Sequence, residues 1–225
     1  GSQTMAGRAN TAAQWVEHAW DTMREGGDAR TVGKYLMRMS EDLDEALTKG
    51  GLSGRPGWLA EARALGRHLK KHPDSFVRNE DLVRSLLKQG YRESAVAAEF
   101  ATSTGVKRQY MRAVHASCAN GSGCLLDRLI KRAKALGKPL SFAHAAQLAS
   151  VAMDVSGVAS ATTEKERAEA IYSSLAWTAG WPIGLLSFAV EEGRSEAEAF
   201  GVATVAQFQD VWNMMEGIYS SSGRA

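Results

Sequence analysis

Apolar side chains recur along this chain at the three- and four-residue steps of a helix, and glycine- and serine-rich breaks separate the periodic stretches. Trp15, Val16, Ala19, Trp20 and Met23 share one face of a helix predicted over 11–25, which Gly26-Gly27 closes. Val32, Tyr35, Leu36, Met39, Leu43, Ala46 and Leu47 repeat the pattern over 31–49, closed by Gly50-Gly51. A third helix is predicted over 58–71, stopping before Pro73. Asn79 is the expected cap of the next, over 80–89, which Gly90 ends. Shorter helices follow over 93–101 and 105–117, then a basic amphipathic one over 125–136 and another over 141–155. Thr163 and Glu166 stand as a capping box for a helix reaching about residue 179. Trp181-Pro182 opens one that runs to Gly193, Ser195 caps a short one, and 205–219 holds the last.

The predicted class is therefore all-α, a multi-helix bundle of about nine or ten helices with a central basic tri-helical segment. The loop over 50–57 marks a first boundary, and the chain divides into an N-terminal helical hairpin (1–51), a basic module (52–138) and an acidic, aromatic-rich C-terminal helical part (139–225). A hydrophobic fraction of 44% with 23% charged residues is ordinary for a globular protein. Only four prolines and few Val, Ile or Thr runs oppose a sheet-rich fold. No run of about 18 apolar residues is present to span a membrane. Gly1-Ser2-Gln3-Thr4 reads as a cloning remnant ahead of a native Met5, without the basic-then-apolar signal of a secreted chain. Two cysteines, Cys118 and Cys124, are too few for a disulfide framework, so a cytoplasmic, reducing location is expected.

Charge changes the picture more than composition does. The formal net charge is +2, yet residues 52–138 carry 17 Lys+Arg against 7 Asp+Glu, a net of +10. Residues 1–51 come to −2 and residues 139–225 to −6. A basic middle between acidic flanks suits a polyanion-binding surface, because released counterions drive such binding without base contacts. A solvated basic face balanced by acidic helices accounts for the same numbers.

Within that segment, residues 79–116 read helix, turn, helix, turn, helix, with small Ala97 and Ala98 where two helices could cross closely. The third begins Thr104-Gly105-Val106-Lys107-Arg108-Gln109-Tyr110. This resembles a helix-turn-helix DNA-binding module over about a sixth of the chain, although the turn at 101–105 is longer than in compact examples. The resemblance implies a reading helix bearing Lys107, Arg108, Gln109 and Arg112 toward base edges. Thr102, Ser103 and Thr104 would meet phosphate at its N-terminus, and Arg128, Lys131, Arg132 and Lys134 would extend the backbone contacts. Val106, Tyr110, Ala113 and Val114 would bury the opposite face.

Other constellations are thinner. His68 and His72 share a helix face at a spacing that could hold a metal, but no further ligand stands nearby, and surface histidines are the expected reading. His115, Cys118 and Cys124 are irregularly spaced, and a buried Cys118 with Cys124 in a loop is expected. No phosphate-binding glycine loop or nucleophile elbow is present, and pairs such as Asp42 and Asp44 read as solvated. No catalytic residue, cofactor or metal is assigned. Trp177, Trp181 and Trp212, with Phe188, Phe200, Phe208, Met214, Met215 and Tyr219, form either a core or a surface for a homodimer or protein partner. The expected function is non-enzymatic nucleic-acid binding, by a DNA-binding regulator or accessory factor. The alternative is a helical protein-interaction module (secretion regulator, chaperone-like factor or effector) without nucleic acid.

Overall fold

The computed structural model describes residues 4–52, 56–119, 123–158 and 183–199. Among the described residues the chain forms eight α-helices and one 3-10 turn, with no strand, so the all-α class holds. They are α1 (Met5–Arg24), α2 (Ala29–Lys49), α3 (Gly57–Lys71), a 3-10 turn (Pro73–Ser75), α4 (Phe76–Thr102), α5 (Gly105–Ala119), α6 (Leu125–Ala135), α7 (Phe142–Val158) and α8 (Ile183–Ala199). The helices expected over 163–179 and 205–219 lie outside the described residues.

Two expected breaks are absent. Gly90 does not end a helix, because α4 runs without interruption from Phe76 to Thr102. Its role is proximity: a side chain there would strike the Met39 thioether of α2, whose sulfur lies 2.6 Å from the place a Cβ would take. Asn79 is likewise no cap, for its amide donates to the Ser75 carbonyl at 2.9 Å inside a helix already begun. In α8, Gly193 and Ser195 are carried inside one helix. At the other end of the chain, Thr4 accepts from the Gly7 N–H at 3.0 Å and starts α1 six residues before the expected position.

The compact units do not follow the expected boundaries. One unit comprises Gly1–Thr102 and His115–Ser122, the other Ser103–Val114 and Gly123–Ala225, so the basic segment 52–138 is shared between them. In the first unit α1 packs on α2 and α4, and α2 packs on α3. Its core takes Val16, Leu36, Met39, Leu43, Leu47, Leu69, Val83, Leu87 and Phe100. In the second unit α6, α7 and α8 pack mutually, around Tyr110, Met111, Leu125, Leu126, Leu129, Ala145, Ala149 and Leu185.

Apolar spacing aims α3. Leu59, Ala62, Leu65, Gly66 and Leu69 are buried along one side. The crossing on α2 is a backbone contact, since a Cβ on Gly33 would sit 2.6 Å from the Gly66 carbonyl oxygen, and one on Gly66 would sit 2.7 Å from the Gly33 oxygen. Helices that close tolerate no methyl between them.

Gly33→Ala should therefore cost about 1–3 kcal/mol through overpacking, despite alanine's better helix propensity. Gly90→Ala should cost less, because a flexible thioether can swing aside where a backbone carbonyl cannot. Urea unfolding of the two variants checks the order, and a Gly33→Ala protein as stable as the parent would contradict the contact.

Candidate nucleic-acid interface

The first turn of the expected tri-helical module does not form, because residues 80–101 belong to one helix. A single break remains, at Ser103-Thr104, between α4 and α5. The residues expected to read bases and phosphates then separate into several environments. Thr102, Thr104, Gln109, Arg112, Lys131 and Arg132 are exposed, Lys107, Arg108 and Arg128 are half-buried, and Ser103 is buried.

Their polar partners sort them further. Thr102 donates its hydroxyl to the Glu99 carbonyl at 3.2 Å. The Arg108 guanidinium donates back to the Ser103 carbonyl at 3.4 Å, tying the cation to its own helix start. Arg128 lies 2.8 Å from a Glu192 carboxylate oxygen and also bonds Glu196, two acids one turn apart on α8. That doubly held guanidinium works within the second unit as an α6–α8 clamp. Arg132 reaches over the Phe188 ring at 5.7 Å, while Lys131 and Lys134 stand exposed on the outer side of α6. The opposite side of that helix buries Leu125, Leu126, Leu129 and Ala133.

Tyr110 sits beneath this cluster, fully buried, and its hydroxyl has no hydrogen-bond partner among the described residues. Burial pushes its ionisation well above the ordinary tyrosine range, and the Glu196 carboxylate adds to the rise. Arg128 pulls the other way, and Glu192 adds a smaller rise.

Sequence reasoning missed a second buried polar group, in the first unit. Glu93 of α4 is fully buried, and its carboxylate lies 2.9 Å from Nε2 of buried His115, close enough for an ion pair but not aligned as a hydrogen bond. Gln89 donates to Glu93 at 3.1 Å and to the Cys118 carbonyl at 3.0 Å. Arg92, also buried, donates to Gln89 and, at 3.3 Å, to the same carbonyl. The network holds the last turn of α5 on α4, and no local sequence signal marks it, because the covering helix is distant in sequence.

Neither cysteine is free, contrary to expectation. Both Cys118 and Cys124 are disulfide-bonded. Cys118, expected to be buried, is buried, and so is Cys124. With His115 on Glu93 and both sulfurs disulfide-bonded, these three do not form a metal site. His68 and His72 stand exposed with rings 5.0 Å apart, and no group of three or more metal-ligating side chains occurs among the described residues. Asp42, expected to be solvated, is held by Arg8 at 2.9 Å and by the Trp15 indole N–H at 2.6 Å. Of the aromatic C-terminal residues only Phe188 is described, and it is half-buried. Compared with protein-family models, curated proteins and solved structures, the chain matches none.

Tyr110→Phe should leave the protein as stable as the parent or more so near neutral pH, since it removes a buried hydroxyl that has no partner. The sign at high pH is fixed. An unfolded tyrosine ionises near pH 10, whereas the folded one stays protonated, so the parent loses stability as pH rises past about 10. The variant should lose less over that range, and chemical unfolding at neutral and alkaline pH measures both.

Proposed function

We propose that this chain is a non-enzymatic nucleic-acid-binding protein, a regulator or accessory factor that holds the phosphate backbone. The observation that supports this best in the expected region is the outer side of α6. There Lys131 and Lys134 stand exposed and pair with no carboxylate among the described residues, opposite an apolar inner side. Such a side suits sequence-independent contact, in which each neutralised phosphate releases a counterion. Recognition of bases by a tri-helical module has less support, because α4 is continuous where that module needs a turn.

Two observations favour the second reading, a helical protein-interaction module. Arg128, a cation of the basic segment, is already held by Glu192 and Glu196. Disulfide-bonded cysteines suit an oxidising compartment better than the reducing cytosol in which a DNA regulator works.

Fluorescence anisotropy of labelled random-sequence duplex DNA against the protein, at several salt concentrations, separates the two. The expected result is binding that falls log-linearly with salt, by about 0.9 in slope per phosphate contacted. Lys131→Ala with Lys134→Ala should reduce that slope by about one to two. Absence of binding at low salt would retire the nucleic-acid reading in favour of the interaction module.

A further inference from the structure

The densest exposed cationic surface in the first unit is one that the helix-turn-helix pattern never touched. Arg63, Arg67, Lys70 and Lys71 fall at steps of four, three and one along α3, which sets them along one side of the helix. Leu59, Ala62, Leu65, Gly66 and Leu69 bury the other side against the bundle. Arg67, Lys70 and Lys71 are exposed, and Arg63 is half-exposed. None of the four ion-pairs with a carboxylate among the described residues, in contrast to Arg8, Arg84 and Arg128, which all do. The chain then turns through Pro73–Ser75 and adds exposed Arg78 in the first turn of α4. Across residues 62–79 the only acid is Asp74.

Spacing and support point to a ligand of matching form. At 1.5 Å per residue the four cations occupy about 12 Å of helix axis. A strand of duplex DNA presents one phosphate per about 3.4 Å of its own axis, so a similar number of phosphates faces the same length. The side chains are long and solvated, and their helix is fixed from behind by the backbone contact of Gly66 with Gly33. Lysine and arginine ends can therefore settle on phosphates without moving the scaffold. Arg128 has to abandon two carboxylates to do the same.

We infer that the outward side of α3, with Arg67, Lys70 and Lys71 at its centre, is a phosphate-backbone contact surface for nucleic acid. This rests on the nucleic-acid reading above and gives it a second, previously unassigned site in the first unit. Contacts there are to phosphate, and they carry no preference for sequence.

The test is the same anisotropy titration with Arg67→Ala/Lys70→Ala/Lys71→Ala, set beside Lys34→Ala as an exposed control on α2. Alanine keeps these solvent-facing helical positions helical, and circular dichroism with urea unfolding confirms that the variant is folded. The triple variant should lose about two to three from the salt slope and about tenfold or more in affinity near 0.1 M salt, with the control unchanged. A folded triple variant that binds with the parent's slope, while the parent binds well, overturns the α3 surface and leaves the nucleic-acid reading standing. Equal losses from the triple variant and the control overturn it too, as the sign of a diffuse field. A parent that binds no duplex at low salt overturns both.

Discussion

The close approach of Gly33 and Gly66 is the constraint on which the first unit is built. Two helices can meet carbonyl to backbone only where neither carries a Cβ, and here a methyl on either glycine would lie within 2.7 Å of the other's carbonyl oxygen. That contact sets α3 down on α2 along the line Leu59, Ala62, Leu65 and Leu69, so the direction in which its cations point is decided by packing. Gly90 solves a related problem more loosely, since α4 passes the Met39 side chain of α2 at a glycine, and a thioether rather than a carbonyl limits the distance. All three glycines serve as spacers inside helices, and none ends one.

This distinction explains most of what could and could not be read in the chain. The apolar steps of α2 were legible because its inner side is continuous, and Val32, Leu36, Met39, Leu43, Ala46 and Leu47 are buried as the spacing selects. A glycine carries no such record. Gly50 and Gly51 do end α2, where the Leu52 N–H bonds the Leu47 carbonyl and Gly51 takes a positive φ of 63°. Gly90 has the same local look but continues α4, and only the neighbour across the bundle tells them apart. The polar network of Gln89, Arg92, Glu93 and His115 was hidden for a like reason. Helix-forming polar residues read as surface until a partner helix covers them, and the partner, the end of α5, lies over twenty residues away in sequence. The disulfide bonding was missed because two cysteines were weighed by number alone.

The candidate site was legible only as a charge. Residues 52–138 carry +10, and that surplus is real, but its members are not equivalent. Arg92 is consumed by a buried network, Arg128 by two glutamates, and Arg108 binds the carbonyl that precedes its own helix. None of these roles is written in residue type or local spacing. What remains exposed is the side of α3 and the outer side of α6, together with Arg78, Arg84 and Lys88 of α4 and Arg112 of α5, and of these the motif left α3 out.

Energetics decides between paired and unpaired cations as candidates for binding. A guanidinium held by two carboxylates must give up both to meet a phosphate, and the exchange of one charged partner for another gains little, while it leaves Glu192 and Glu196 facing each other without a cation between them. A solvated lysine surrenders only water, and the counterion released from the polyanion supplies the driving force. The same logic separates the two readings of this chain. If Arg128 is taken as representative, the acidic α8 has already neutralised the basic segment and a protein partner is the natural ligand. If α3 is representative, the stretch from Ala62 to Asn79 holds no acid but Asp74, and a chain of phosphates is the partner whose charge spacing fits. Because a close approach of backbones seats α3 on α2, its cations project from a packed helix, and a surface that needs no broken ion pair is the one on which a salt-dependent, sequence-independent grip most readily forms.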